Sequence, residues 1–163
     1  MKEIIVTRME EIPEYHRNEH SKYEFFRRSV TGNAAQGYRA EENNKTIVAF
    51  YTIPPGKSNF PYHYHTANEE VFYIISGKGI LETEHGKREI KTGDVVVCPT
   101  GKNGAHRITN LSEAEDLIYI DIDTNNSPEV AFYPHVNKVG FRADGGIWEV
   151  LDSDAKRGYY EGE

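Results

Sequence analysis

The chain contains one cysteine, one tryptophan and two methionines. None of its apolar runs approaches the roughly 20 residues that a membrane helix needs. Cys98 alone cannot close an intramolecular disulfide, so no covalent staple is expected. The opening MKEIIVTRMEEIPE lacks the apolar stretch of a secretory signal, and the cytoplasm is the expected address. Positive charge is scarce as well. Against 26 acidic residues stand 19 lysines and arginines, a net charge of −7, and Arg27 and Arg28 are the only adjacent arginines. Phosphate backbones would be repelled, so neither nucleic acid nor a membrane is an expected partner. Long segments with a 3.6-residue apolar period are also missing. Little helix is expected, although YEFFRRSV has the make-up for a turn or two.

What is present points to strands. The length of 163 residues suits one domain, and 11 tyrosines with 7 phenylalanines supply a core. Residues 1–45 are polar and weakly periodic and are read as an N-terminal arm packing on the domain. Residues 46–163 hold the domain itself with a C-terminal extension. Within it, TIVAFYTI, EVFYII, GILETE, DVVVCP, AHRITN, DLIYIDI and EVAFY are short, β-branched and aromatic. Pro54-Pro55-Gly56, Ser76-Gly77-Lys78-Gly79 and Thr92-Gly93-Asp94 punctuate them as turns, and His85-Gly86 reads as a hairpin tip. That rhythm predicts an all-β sandwich or barrel.

His63 and His65 carry the first chemical signal. Two residues apart on a strand, they share one face with about 6.6 Å between them along the backbone. A pair of this kind commonly sits on an exposed strand and binds nothing. An antiparallel return through Thr66-Ala67-Asn68-Glu69 would bring Glu70 back to the pair, so that one hairpin supplies three ligands. His106 lies on a later strand and joins them only if the barrel closes. Imidazoles with one carboxylate suit a divalent transition ion such as Mn, Fe, Ni or Zn, and four protein ligands leave positions open for catalysis.

The pattern around these residues resembles the two motifs of the cupin superfamily. Gly56, His63, His65, Glu70 and Gly77 match the first motif, and Gly93, Pro99, Gly101, His106 and Asn110 match the second. One extra residue stands between Gly56 and His63, and two between Gly101 and His106; both insertions fall in loops. The resemblance implies a double-stranded β-helix, or jelly-roll, barrel in which His63, His65, Glu70 and His106 bind one metal ion. It also favours pairing of two barrels into a homodimer. PPGKSNFPYHYHTANEE, NKVG and YYEGE look like a branch of small single-domain microbial cupins, some with a provisional sugar-phosphate isomerase label. Glu70 rather than Glu69 is the expected ligand, because neighbouring strand residues face opposite ways. Phe72, Ile74 and Ile108 are the expected pocket lining.

Other signals carry less. Cys98 ends VVVC against Pro99 and is expected to be buried and inert. Asp123, Asn125 and Ser127 begin like a calcium loop, but Pro128 stands where its glycine is needed. Two functions remain. One is a metalloenzyme acting on a small polar substrate by isomerase, dioxygenase or decarboxylase chemistry, with Lys57, Lys102 and Arg107 as loosely placed cations for a sugar phosphate. The other is a non-catalytic metal-containing module that binds a small ligand.

Overall fold

The computed structural model describes residues 4–32, 44–142, 148–155 and 158–162. Its strands are β1 (Tyr15–Glu19), β2 (Tyr23–Ser29), β3 (Thr46–Ile53), β4 (Tyr64–His65), β5 (Glu70–Ser76), β6 (Lys78–Thr83) and β7 (Gly86–Lys91). They continue as β8 (Val95–Cys98), β9 (His106–Thr109), β10 (Leu117–Thr124), β11 (Glu129–Tyr133), β12 (Lys138–Arg142) and β13 (Trp148–Asp152). One antiparallel sheet runs β1-β2-β3-β10-β5-β8, and opposite it lie β13-β12-β11-β4 and β7-β6-β9. An antiparallel bridge between His63 and His106 connects these last two groups. The result is the expected double-stranded β-helix, with helix confined to single 3₁₀ turns among the described residues.

Two local expectations are corrected. YEFFRRSV forms no helix: Tyr23–Ser29 is strand β2, with Phe25, Arg27 and Ser29 turned inward. Its backbone is paired on both edges, by β1 and β3, which outweighs a weak helical preference. Nor do His63, His65 and Glu70 belong to one hairpin. β4 pairs with β11, whereas β5 pairs with β10 and β8. Glu70 therefore meets the histidines across the barrel interior.

The core lies between the sheets. Tyr51 and Tyr119 are stacked with centroids 5.3 Å apart, and Phe25, Ile53, Phe72, Ile74, Ile108 and Leu117 close around them. Each such apolar side chain contributes about 1.5–3 kcal/mol on burial. Gly77 turns the chain from β5 into β6 at φ +84°, and a Cβ there would collide with the Asp116 carbonyl, so glycine is required on both counts. Cys98 is buried among these residues, as expected, and burial pushes its thiol pKa up.

At one end of the barrel the usual polarity is inverted. Along β10 the inward residues are Leu117, Tyr119, Asp121 and Asp123, while Ile118, Ile120 and Ile122 face outward. Carboxylates point into the interior there because that interior is a cavity lined by polar groups.

Candidate metal centre and its cavity

Backbone geometry alone brings the first two histidines together. The His63 amide donates to the His106 carbonyl at 3.1 Å, and the His106 amide donates back to the His63 carbonyl at 2.9 Å. Residues so paired present their side chains on one face. Each ring is then oriented by its own chain. Nδ1 of His63 donates to the Pro61 carbonyl at 2.8 Å, and Nδ1 of His106 to the Gly104 carbonyl at 2.9 Å. A carbonyl only accepts, so the proton of each neutral ring sits on Nδ1 and the Nε2 lone pair is free. Both Nε2 atoms approach Glu70: His63 at 3.9 Å from Oε1 and His106 at 3.6 Å from Oε2.

One donor atom from each of His63, Glu70 and His106 lies within 4.8 Å of the others, and all three residues are buried. The separations are too long for hydrogen bonds. They suit donors arranged around one ion, since ligands about 2.0–2.2 Å from a metal stand roughly 3–4 Å apart. Nε2 of His106 is buried with no hydrogen-bond partner. Orphaned buried nitrogen atoms are rare, and a bound cation would satisfy this one.

His65 stands beside this group rather than within its tightest part. Its Nε2 is 3.6 Å from Glu70 Oε1, and its Nδ1 is 3.6 Å from Glu129 Oε1. Glu129, which carries no motif in the sequence, is 2% exposed at the start of β11. Its carboxylate accepts from the Thr66 amide at 3.0 Å, from the Ala67 amide at 3.4 Å and from the Asn68 side chain. A carboxylate behind a histidine orients the ring and raises its basicity. Glu69, by contrast, is exposed, and Glu70 is the buried member of the pair.

Electrostatics separates the histidines. Burial, with the nearby His106 and His65 rings, lowers the pKa of His63 to about 3 despite the pull of Glu70. Burial also opposes charge on His65, but Glu70 and then Glu129 outweigh it, and its pKa is raised. Glu70 would be raised by burial, yet His106, His65 and His63 bring it below its usual value. Its cross-strand neighbour Asp123 and the next inward residue, Asp121, go the other way. Burial comes first in both, and Asp121 reaches about 7 even though Arg27 lowers it.

The centre opens into a cavity of about 700 Å³, lined on the histidine side by His63, His65, Glu70 and Asp123 and elsewhere by Tyr133, Arg142 and Trp148. Phe72, Ile74 and Ile108, expected as lining, are instead packed in the core at 2%, 0% and 0% exposure, absent from the cavity wall. Phe72 still touches the site from below, its ring 5.4 Å from that of His106. The expected cations are also placed elsewhere. Lys57 is engaged by the Ser21 carbonyl and Glu24, Arg107 pairs with Glu82, and Lys102 lines a separate outer groove. The inward alternation Tyr119, Asp121, Asp123 is visible in DLIYIDI, but only the fold shows which face is inside.

Fold and site together define a small jelly-roll barrel with a histidine–carboxylate centre at one end. Residues 49–123 match the cupin domain model, and the fold is that of the cupin barrels. A crystal structure from Acidithiobacillus ferrooxidans, provisionally named a sugar phosphate isomerase, is 27% identical with a TM-score of 0.77. The match covers 96% of this chain and 97% of that one. A predicted oxalate decarboxylase from Thermotoga maritima is 26% identical with a TM-score of 0.61, covering 75% of this chain and 100% of that chain. An oxalate-binding protein of Thermotoga maritima is 32% identical over 76 residues, 47% of this chain and 60% of its own length. The chain spans between 46% and 60% of the length of the curated relatives it matches.

Proposed function

We propose that this protein is a metal-dependent cupin enzyme in which His63, His65, Glu70 and His106 hold one divalent transition ion and a small polar substrate enters the adjoining cavity. The observation that carries this is the orphaned, buried Nε2 of His106, facing Glu70 and His63. Bound there, an ion would act as a Lewis acid toward a substrate oxygen. The chain's own contribution is to fix both Nδ1 protons on backbone carbonyls and to keep the donors in a largely enclosed site. Isomerisation of a sugar phosphate is the favoured chemistry, since the relative with that provisional name aligns along nearly the whole chain. Manganese, iron, nickel and zinc all fit the donor set. Elemental analysis of protein purified without an affinity tag should find close to one such ion per chain. Protein that has none and takes up none on titration would refute the proposal.

A second reading is a non-catalytic module that stores or senses a small ligand, supported by the relative named an oxalate-binding protein. Native mass spectrometry of the same preparation separates the two: a stoichiometric ligand that survives purification unchanged favours the module. A cytoplasmic homodimer completes the proposal. Tyr73, Val95 and Val97 are 46%, 62% and 61% exposed on the outer face of β5 and β8, a contiguous apolar surface suited to a second copy. No helix among the described residues is long and apolar enough to cross a membrane.

A further inference from the structure

Arg142 is 9% exposed, yet it lines the same cavity as His63, His65 and Glu70. Its Nη2 donates to Asn125 Oδ1 at 2.8 Å and to the Asn126 carbonyl at 3.0 Å, both neutral acceptors. Glu129 stands opposite Arg142 in the strand register, but its carboxylate is taken by Thr66, Ala67, Asn68 and His65. Among the described residues no carboxylate lies within ion-pair distance of Arg142 or of Lys138. Buried arginines are seldom left without an anion.

The wall around Arg142 is shaped as well as charged. Lys138, Gly140 and Arg142 alternate along β12 and share one face. Trp148 of β13 pairs with Arg142 in register, and its indole lies over Gly140, where a Cβ would come within 2.5 Å of Cζ2. Only glycine leaves room for the ring. Trp148 and Tyr133 line the same cavity, and the Tyr133 ring stacks on His63 with centroids 5.7 Å apart. A continuous surface thus runs from the histidine centre past two aromatic rings to a guanidinium that no carboxylate among the described residues neutralises. In the sheet order β12 is two strands from β4, roughly 10 Å at ordinary strand spacing.

We propose that Arg142, with Lys138 beside it, is an anion subsite that holds the phosphate of a small phosphorylated sugar or polyol while the ligand's carbonyl or hydroxyl end reaches the histidine–glutamate centre. Trp148 provides the platform between them, since indole faces pack well against the C–H surface of a sugar. The planar guanidinium matches phosphate with two parallel hydrogen bonds. A two-carbon dianion such as oxalate would sit entirely at the metal and would leave Arg142 unpaired, whereas a longer monoester engages both ends of the cavity. This subsite deepens the reading of the protein as a metal-dependent cupin and rests on it for the fate of the far end of the ligand.

Titration calorimetry on the metal-loaded full-length protein, with glucose 6-phosphate, glucose and oxalate as probes, tests the subsite. The phosphorylated sugar should bind at least about tenfold more tightly than glucose, the usual scale for a charge-assisted contact. Arg142→Gln should erase that margin while metal content and oxalate binding stay at wild-type levels. Lys138→Gln, at an exposed position that does not threaten folding, should reduce the margin severalfold. Equal binding of the two sugars, or a margin that survives in both folded variants, would overturn the subsite. If the protein carries no metal but the phosphate preference and its dependence on Arg142 persist, the metal reading fails and the subsite stands. Metal present without any phosphate preference would overturn the subsite and leave the metal reading intact.

Discussion

The two walls that meet at the candidate centre are built on opposite principles. The wall of β9 and the residue leading into β4 presents His106 and His63, whose protons are fixed by backbone carbonyls, so their orientation follows from local chain geometry. The wall of β5 and β10 presents Glu70, Asp121 and Asp123, which are gathered from two strands and are all buried. Cross-strand neighbours on that second wall behave differently. Glu70 faces the histidines and ionises more readily than usual, whereas Asp123 faces other carboxylates and is pushed up. This barrel therefore gathers carboxyl groups where an apolar core would normally be. Desolvated carboxylates are tolerated only near compensating cations. Arg27 supplies one such charge by lowering both aspartates, and the proposed divalent ion would supply the rest.

The sharpest way to break this pairing of walls is to neutralise Glu70. Glu70→Gln keeps the shape but removes the one carboxylate among the described residues that lies near all three histidines. Metal affinity should fall by more than the ~100-fold that losing the hydrogen-bond partner of a ligand can cost. Competition with a chromophoric chelator reads this directly. Near wild-type affinity in a folded Glu70→Gln protein would mean that the ion sits elsewhere. The next largest effect tests the histidine wall from behind. Glu129→Gln should weaken metal binding about 10–100-fold by releasing the His65 ring, with His63 and His106 unaffected. An unchanged affinity would exclude His65 as a ligand.

These two glutamates also mark how far the sequence can be read. His63, His65, Glu70 and His106 are legible because motif spacing is a property of the chain itself, and the strand alternation that buries Glu70 and exposes Glu69 is equally local. Glu129 carries no such mark. It reaches His65 through the pairing of β11 with β4, more than sixty residues apart in sequence, which no local period reports. The same limit explains the misplaced cations. Lys57 and Arg107 adjoin the motif residues Gly56 and His106, but Lys57 lies in a loop and turns to the Ser21 carbonyl and Glu24, Arg107 alternates with His106 on β9, and the cavity takes Lys138 and Arg142 from β12 instead. YEFFRRSV is ambiguous for a related reason: its partners β1 and β3, rather than its composition, make it a strand.

A smaller and graded effect should appear with pH. In the metal-free protein His65 has a raised pKa, so its proton contributes stability that is fully present below the ordinary value near 6.5 and is lost as pH rises through the folded value. An incoming ion must displace that proton. Metal affinity should therefore run opposite to that stability term, increasing with pH and levelling off once His65 is neutral. His63, already lowered to about 3, adds no dependence in that window. Affinities measured between pH 6 and 9 should show the rise, and Glu129→Gln should move it toward acid by removing one of the charges that hold the proton. A flat profile would show that His65 is not displaced by the metal.

The smallest expected effect is the most demanding control on the register. Glu69 adjoins Glu70 and carries the same charge, so any long-range attraction between the acidic end of the barrel and a cation would weaken almost equally on neutralising either one. Ligation would not. Glu69 is exposed, and its amide donates to Thr124 Oγ1 at 2.9 Å, which fixes the backbone so that its side chain leaves on the solvent side. Interactions of exposed charges are largely screened in ordinary buffer. Glu69→Gln should therefore leave metal occupancy and affinity within about twofold of wild type, a free-energy change below the ~1 kcal/mol ceiling typical of exposed ion pairs. The comparison with Glu70→Gln in the same chelator assay then isolates coordination from simple charge. Metal lost in the Glu69 variant but kept in the Glu70 variant would invert the two faces of β5 and with them the carboxylate wall on which the proposed centre depends.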